Sequence, residues 1–325
     1  MKVAVLGAGA VGCWLAAEFA AAGASVSVAA RGATLEALST RGLRITRGGT
    51  TRDLRLRAAP AADLGPQDMV LVATKAQHVG AALGESRALL GPSTTVVSAH
   101  NGLPWWFTRQ FAGPLEDAVL ESVDPGGAIA ALLAPGQAVG CVVHASLWRP
   151  APVQVQVGGV DRLIFGEPSG TDSERVRWLA GAAARAGIDG RVSHTIRRDV
   201  WTKLWGNMSL NPLSALARAS TARLLDDAHV HTLCLRMMDE MAAAGERIGL
   251  PFAISAAERM GVSRRLGDFR TSMLQDLQRG APLEYGPLLG AVVEVARRTG
   301  TPAPFCEAVL GLVRLLSQSL AEAAR

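Results

Sequence analysis

Lys203, Asn207 and Asn211 stand four residues apart in "VWTKLWGNMSLNP" (200–212), a stretch otherwise rich in tryptophan, leucine and methionine. Each step of four turns a helix by about 40°, so the three side chains form a short polar ridge on a helix built for burial. An ammonium can pass on a proton when its surroundings lower its pKa, and amides can hold a ligand's oxygens. Of the 33 basic residues only Lys2, Lys75 and Lys203 are lysine. A guanidinium keeps its proton near neutrality, so lysines retained among arginines point to proton chemistry or tight geometry, with coincidence as the alternative.

A second set of residues lies at the other end of the chain. "VLGAGAVG" places Gly7, Gly9 and Gly12 in G-x-G-x-x-G spacing, between a strand and a helix. The glycines serve a tight turn, close approach of backbone to a pyrophosphate, and close packing of helix on strand. The loop Gly7-Ala8-Gly9-Ala10-Val11-Gly12 would then offer the phosphates free N–H groups and the positive end of a helix dipole. NAD binding would call for an acidic residue at the end of the second strand. That strand, "SVSVAA", ends instead in Arg31, with no carboxylate before Glu36, and a guanidinium suits the 2′-phosphate of NADP(H). Lys75 after "VLVAT" and Asn101 after "TVVSAH" also fall at strand ends, where a doubly wound sheet opens its ligand crevice.

These residues need particular elements to hold them. "KVAVLG", "SVSVAAR", "DMVLVATK" and "TTVVSAHNG" read as apolar strands, with "AVGCWLAAEFAAAGA" and "QHVGAALGESRALL" helical between them, the pattern of a parallel sheet covered by helices. "GCVVHASL", "VQVQVGG" and "RLIFGEP" read as further strands, two of them alternating as an antiparallel extension would. A helix near 172–187 and the strand "GRVSH" follow. From about 195 the pattern is helical: 196–217, a stretch from "DDAHVHT" onward, 268–278, 284–299 and 304–323, separated by glycine and proline breakers. The expected architecture is α/β plus all-α, a Rossmann-type doubly wound sheet over 1–194 followed by a helical domain over 195–325.

With 49% hydrophobic and 19% charged residues, 325 residues suffice for two cores. No signal peptide and no apolar run of membrane-spanning length is evident, and the four cysteines are scattered singly, so a cytoplasmic protein with no membrane partner is expected. The arginines behind the net charge of +5 form no dense run, which argues against nucleic acid and for small anionic ligands. His229 and His231 lack a third ligand at suitable spacing, so no metal is expected. The apolar C-terminal helices suit a core or a homodimer contact.

"GAGAVG", Arg31, "TKA" (74–76), "HNG" (100–102), "WTKLWGNMSLNPLSAL" (201–216) and "SMLQDLQRGAPLE" (272–284) together resemble the ketopantoate reductase (2-dehydropantoate 2-reductase) family, in order and across nearly the whole chain. The resemblance implies NADPH-dependent reduction of a 2-oxo acid, ketopantoate to pantoate in pantothenate (coenzyme A) biosynthesis, in a cleft between a Rossmann and a helical domain. By position it makes Lys203 the proton donor and Glu284 a participant in ligand binding and catalysis. Asn207, Asn211 and Ser272 match substrate contacts. Asn101 matches a residue touching both cofactor and substrate, and Lys75 and Ala145 match cofactor neighbours. The residues agree on their own terms: hydride addition to a ketone leaves an alkoxide that needs a proton donor within reach.

The chain departs from the family at Phe269 and Leu289, where asparagines are common, and at Pro104-Trp105-Trp106 after "NGL". These replace hydrogen-bonding groups by apolar bulk around the expected pocket, and the two tryptophans offer either a substrate lid or an interface patch. Two alternatives therefore stand: a paralogue reducing a more apolar 2-oxo acid, and a non-catalytic NADP(H)-binding sensor.

Overall fold

Short β-branched runs, each closed by glycine or a polar turn, form buried strands in the first half of the chain. The computed structural model describes residues 1–159 and 162–323. Its strands are β1 (Lys2–Leu6), β2 (Ser25–Ala29), β3 (Leu43–Arg47), β4 (Thr50–Leu54), β5 (Arg57–Ala59), β6 (Met69–Val72), β7 (Thr95–Ser98), β8 (Ala138–His144), β9 (Leu147–Ala151), β10 (Gln154–Val157), β11 (Arg162–Gly166) and β12 (Asp189–Val192). Eight of them form one sheet in the order β12-β11-β8-β7-β6-β1-β2-β5. From β5 through β8 every neighbouring pair is parallel, in the doubly wound order 3-2-1-4-5-6. The order reverses between β1 and β6, which makes their carboxyl ends the ligand crevice.

The antiparallel extension starts at β11, which pairs with β8 from Arg162↔His144 to Gly166↔Gly140, and continues with β12, parallel to β11. The alternating "VQVQVGG" does not extend that sheet. As β10 it joins β3 and β9 in a separate four-stranded sheet, β4-β3-β10-β9. Its buried Val155 and Val157, with Leu43 and Ile45 of β3, belong to the same core as Trp14 and Leu15 of helix Ala10–Ala21. Glu18 of that helix is buried, and Arg52 of β4 meets its carboxylate at 2.5 Å. The small sheet is thus pinned to the helix that starts at the glycine loop by apolar contact and by the pairing of buried Glu18 with Arg52 and, at 3.8 Å, Arg47.

Residues Met1–Trp106 and Gly127–Asp199 make up one unit; Phe107–Gly126 and Val200–Arg325 make up the other. The division falls inside helix Ile196–Ala217, and the second unit takes in 107–126 from the middle of the sheet-forming sequence. That excursion is held within its unit by Phe107, which stacks on Trp201 with ring centroids 6.0 Å apart, and by Glu294. The Glu294 carboxylate accepts hydrogen bonds from the Glu121 and Ser122 amides, both 3.0 Å, and from the Ser122 hydroxyl at 2.8 Å.

The helices of the second unit are Ile196–Ala217, Thr221–Asp226, Ala228–Arg247, Ala256–Arg265, Ser272–Gln278, Ala291–Arg298 and Pro304–Ala323. Two differ from the sequence expectation. The helix expected over 268–278 begins at Ser272, because 268–271 is tied to helix Thr221–Asp226 through Thr221 Oγ1, which bonds both the amide and the carbonyl of Phe269 at 3.1 Å. The one expected over 284–299 is a single π turn, Gly286–Gly290, followed by Ala291–Arg298, since Gly286 and Pro287 weaken the start of a regular helix. No helix among the described residues is long and apolar enough to cross a membrane.

Candidate active site

The glycine loop is shaped by contacts that leave no room for side chains, except in one place. Gly7 holds φ +107°, and a Cβ there would lie 2.6 Å from the Thr74 amide nitrogen. A Cβ on Gly12 would lie 1.8 Å from the Gly7 carbonyl oxygen. Gly9 is the N-cap of helix Ala10–Ala21, and a Cβ on it would meet nothing within 4 Å. Beside the loop, at the end of β6, the Thr74 hydroxyl is buried with no hydrogen-bond partner among the described residues. An open face at the helix N-terminus, bordered by an unsatisfied hydroxyl at the sheet's switch point, fits a dinucleotide's pyrophosphate.

One feature of the loop has no motif in the sequence. Arg149, on the neighbouring strand β9, donates from Nη1 to the Ala8 carbonyl at 3.1 Å, and the Cys13 thiol lies 3.5 Å from the same oxygen. A trans peptide points its C=O and N–H in opposite directions. Holding the Ala8 carbonyl on one side therefore fixes the direction of the Gly9 N–H on the other. Burial pushes the Cys13 thiol up to about 11, against the opposing pull of the Arg149 cation, so it stays protonated and is no nucleophile near neutral pH.

The other expected residues of the first unit fall at carboxyl ends of strands. Lys75, half-buried, caps the short turn Ala76–His78 after β6. Asn101, also half-buried, follows β7, and its carbonyl lies 2.9 Å from His100 Nδ1. Arg31 is the N-cap of helix Gly32–Arg41, two residues past β2, and it pairs on the surface with Glu85 at 2.5 Å. Ala145 directly follows β8 and is half-buried, packed against the same core as Ala8, Ala10 and Val11 of the glycine loop.

Trp105 and Trp106 are neither a lid nor an exposed patch. Both are buried, and Trp106 Nε1 donates to the Ser98 hydroxyl at 2.8 Å while its ring lies over Gly140. Trp106 thus packs against β7 and β8, and Trp105 lies beside the His100 ring, centroids 6.0 Å apart.

In the second unit, helix Ile196–Ala217 carries the polar ridge. Its Trp201, Leu204, Trp205 and Met208 are buried; Lys203 and Asn207 are half-buried and Asn211 is 5% exposed. Trp205 is locked by stacking on Phe252, centroids 3.7 Å apart, and by donating from Nε1 to the Met238 carbonyl at 2.8 Å. Such anchoring sets the rotation of the helix, and with it the direction of the ridge. Near its end Ser214 donates to the Asn211 carbonyl at 2.8 Å and hydrogen-bonds the Thr271 hydroxyl. Thr271 caps the helix that begins at Ser272, so the expected substrate contacts Asn211 and Ser272 are brought to neighbouring positions. Glu284 is 3% exposed, between the helix Ser272–Gln278 and the π turn. Leu289, inside that turn, is fully buried, whereas Phe269 is 39% exposed.

No cluster of three or more His, Cys, Asp or Glu side chains suited to a metal occurs among the described residues.

The model of the family "Ketopantoate reductase PanE/ApbA" matches residues 3–106, and that of "Ketopantoate reductase PanE/ApbA C terminal" matches 195–317. A 2-dehydropantoate 2-reductase from Mesorhizobium japonicum is 43% identical over 319 residues, 98% of each chain. A solved structure of a candidate ketopantoate reductase from Ralstonia solanacearum superposes with a TM-score of 0.93 at 45% identity, again over 98% of both chains. The solved 2-dehydropantoate 2-reductase from Methylococcus capsulatus gives 0.83 at 28% identity, also over 98% of each. Glycine loop, doubly wound sheet and helical unit agree with these matches at both ends of the chain, and the protein belongs to the ketopantoate reductase family of oxidoreductases.

Proposed function

We propose that this chain reduces a 2-oxo acid to the 2-hydroxy acid with NADPH, ketopantoate to pantoate being the reaction its relatives are named for. The observation that carries the reading is the ridge of Lys203, Asn207 and Asn211 on a helix whose other faces are buried. A reduced nicotinamide, when bound, supplies the hydride. Lys203 gives a proton to the keto oxygen as it becomes an alkoxide, and a lysine can do this where an arginine cannot. Asn207, Asn211 and Ser272 hold the substrate's oxygens, and Glu284, withdrawn from water, orients the ammonium. Gly7 to Gly12 hold the pyrophosphate. Arg31 takes the 2′-phosphate, and its release from Glu85 costs little because the pair is exposed.

A more apolar 2-oxo acid is the second reading, favoured by the exposure of Phe269 three residues before Ser272. Both are tested by a panel of 2-oxo acids, ketopantoate included, assayed with NADPH and NADH. Fastest turnover of ketopantoate with NADPH supports the first, and preference for a bulkier apolar acid the second. Tight NADPH binding with no turnover of any member would overturn both in favour of a sensor.

A further inference from the structure

Helix Ala256–Arg265 lacks the apolar periodicity that marks its neighbours in the sequence. It opens with a capping box in which Ser255 and Glu258 satisfy each other's backbone amides, and on its inner side it carries Arg259. This side chain is half-buried. Its Nη1 donates to the Ser263 hydroxyl at 3.0 Å, and Ser263 is itself 4% exposed. Its other end lies against helix Ile196–Ala217: a Cβ on Gly206 would fall 2.9 Å from Nη2 and 3.4 Å from Cζ. Gly206 is three residues from Lys203 and next to Asn207. Glycine at 206 is what lets a cation lie against the helix that carries the ridge.

Arg259 makes no ion pair among the described residues, and burial alone pulls its pKa down, with no carboxylate acting on it. A guanidinium does not escape by losing its proton, and withdrawing a charge even partly from water without a counterion is unfavourable. One hydroxyl satisfies one of its five donors. An anion brought by a ligand would satisfy others.

We propose that Arg259 is the receptor for the substrate's carboxylate, seated at Gly206 beside the proton donor and the amides. The proposal rests on the reading of Lys203 as that donor and adds the residue that recognises the acid's carboxylate. Its chemistry requires a second cation. Lys203 becomes neutral when it gives up its proton, so it cannot also hold the carboxylate's charge through the reaction. The guanidinium fork matches a carboxylate with two parallel N–H···O bonds. Positions three apart on a helix are about 5–6 Å apart at Cβ, close enough for the two groups to grip the adjacent keto and carboxylate oxygens of one small acid.

The test compares wild type with Arg259→Met, Arg259→Lys and Gly206→Ala. Gly206→Ala keeps the charge and favours the helix, but its Cβ displaces the guanidinium. Turnover of a 2-oxo acid and of its methyl ester is measured with NADPH. Calorimetric binding of oxamate, an unreactive 2-oxo acid analogue, is measured on the NADP-loaded protein. For Arg259→Met we expect kcat/KM for the acid and oxamate affinity to fall about 10- to 100-fold, with ester turnover and NADPH affinity unchanged. Gly206→Ala should show a loss of the same sign, and Arg259→Lys should recover part of it. Equal losses on acid and ester, or unchanged oxamate affinity in both Arg259→Met and Gly206→Ala, would overturn the assignment. Wild type that binds oxamate through Arg259 yet reduces no 2-oxo acid would keep the receptor and remove the reductase reading. Wild type that neither binds nor reduces would remove both.

Discussion

Replacing Gly9 by alanine separates the loop's role in folding from its role in holding a ligand. At Gly12 the new Cβ would sit 1.8 Å from the Gly7 carbonyl oxygen, and at Gly7 it would sit 2.6 Å from the Thr74 nitrogen with φ at +107°. Both contacts are with backbone, so the strand-loop-helix junction itself must move, at a cost beyond about 4 kcal/mol for Gly12→Ala. At Gly9 the Cβ meets nothing within 4 Å. The folded protein loses only the advantage of glycine over alanine at an N-cap, about 0.5–1 kcal/mol, or a few degrees in Tm. A phosphate oxygen, however, must come within about 2.9 Å of the loop N–H groups, where the added methyl now stands. Two charge-assisted hydrogen bonds lost at about 1.5–3 kcal/mol each weaken binding by roughly 10²- to 10⁴-fold. The assay is fluorescence titration of NADPH and NADH, with thermal melts of Gly9→Ala and Gly12→Ala alongside. Gly9→Ala that binds either dinucleotide as tightly as wild type, or melts as low as Gly12→Ala, would refute the reasoning.

Arg31→Ala should raise the KM for NADPH about tenfold and leave that for NADH nearly unchanged, the loss of one exposed charge-assisted contact; equal effects on both would remove Arg31 from the 2′-phosphate. Arg149→Ala should weaken NADPH and NADH alike, since it acts through the Ala8–Gly9 peptide, and Arg149→Lys should restore part of the affinity; a loss confined to NADPH, seen in the same titrations, would place Arg149 at the 2′-phosphate instead. Glu294→Ala should cost about 2 kcal/mol and speed hydrogen exchange at the Glu121 and Ser122 amides; unchanged exchange there would show that 107–126 is held by its apolar contacts alone. Burial pushes the Glu294 carboxyl up, but Ser122, the Glu121 amide and Arg298 outweigh it and leave its pKa below the ordinary value. Its stabilisation is therefore present above pH about 4.3 and fades as pH falls through the lowered value, so acid unfolding of variant and wild type should converge there.

What could be read from the sequence is what local pattern encodes. β1, the glycine loop and its helix are contiguous, and each glycine's spacing follows from contacts within a few residues or with the end of β6. The ridge on Ile196–Ala217 shows through helical periodicity alone. The small sheet was harder, because β3 and β10 pair across more than a hundred residues, and alternation within a strand does not name its partner. A signal was there in Gly48-Gly49, both with positive φ, which turn β3 into β4 as a Gly-Gly hairpin does. The Ser255/Glu258 capping box likewise marks the start of a helix that its polar surface conceals. Nothing local could place 107–126 with the helical unit, since Glu294 and Arg298 reach it from some 170 residues away. Arg149 and Arg259 escape for the same reason: each meets a backbone, at Ala8 or at Gly206, that only the fold brings near.

The central claim is that Lys203 donates the proton in a reduction, and turnover by Lys203→Ala tests it most directly. With NADPH and the best 2-oxo acid of the panel, kcat should fall by about 10²- to 10⁴-fold while the NADPH dissociation constant stays at the wild-type value. A variant that oxidises NADPH at the wild-type rate would contradict the account.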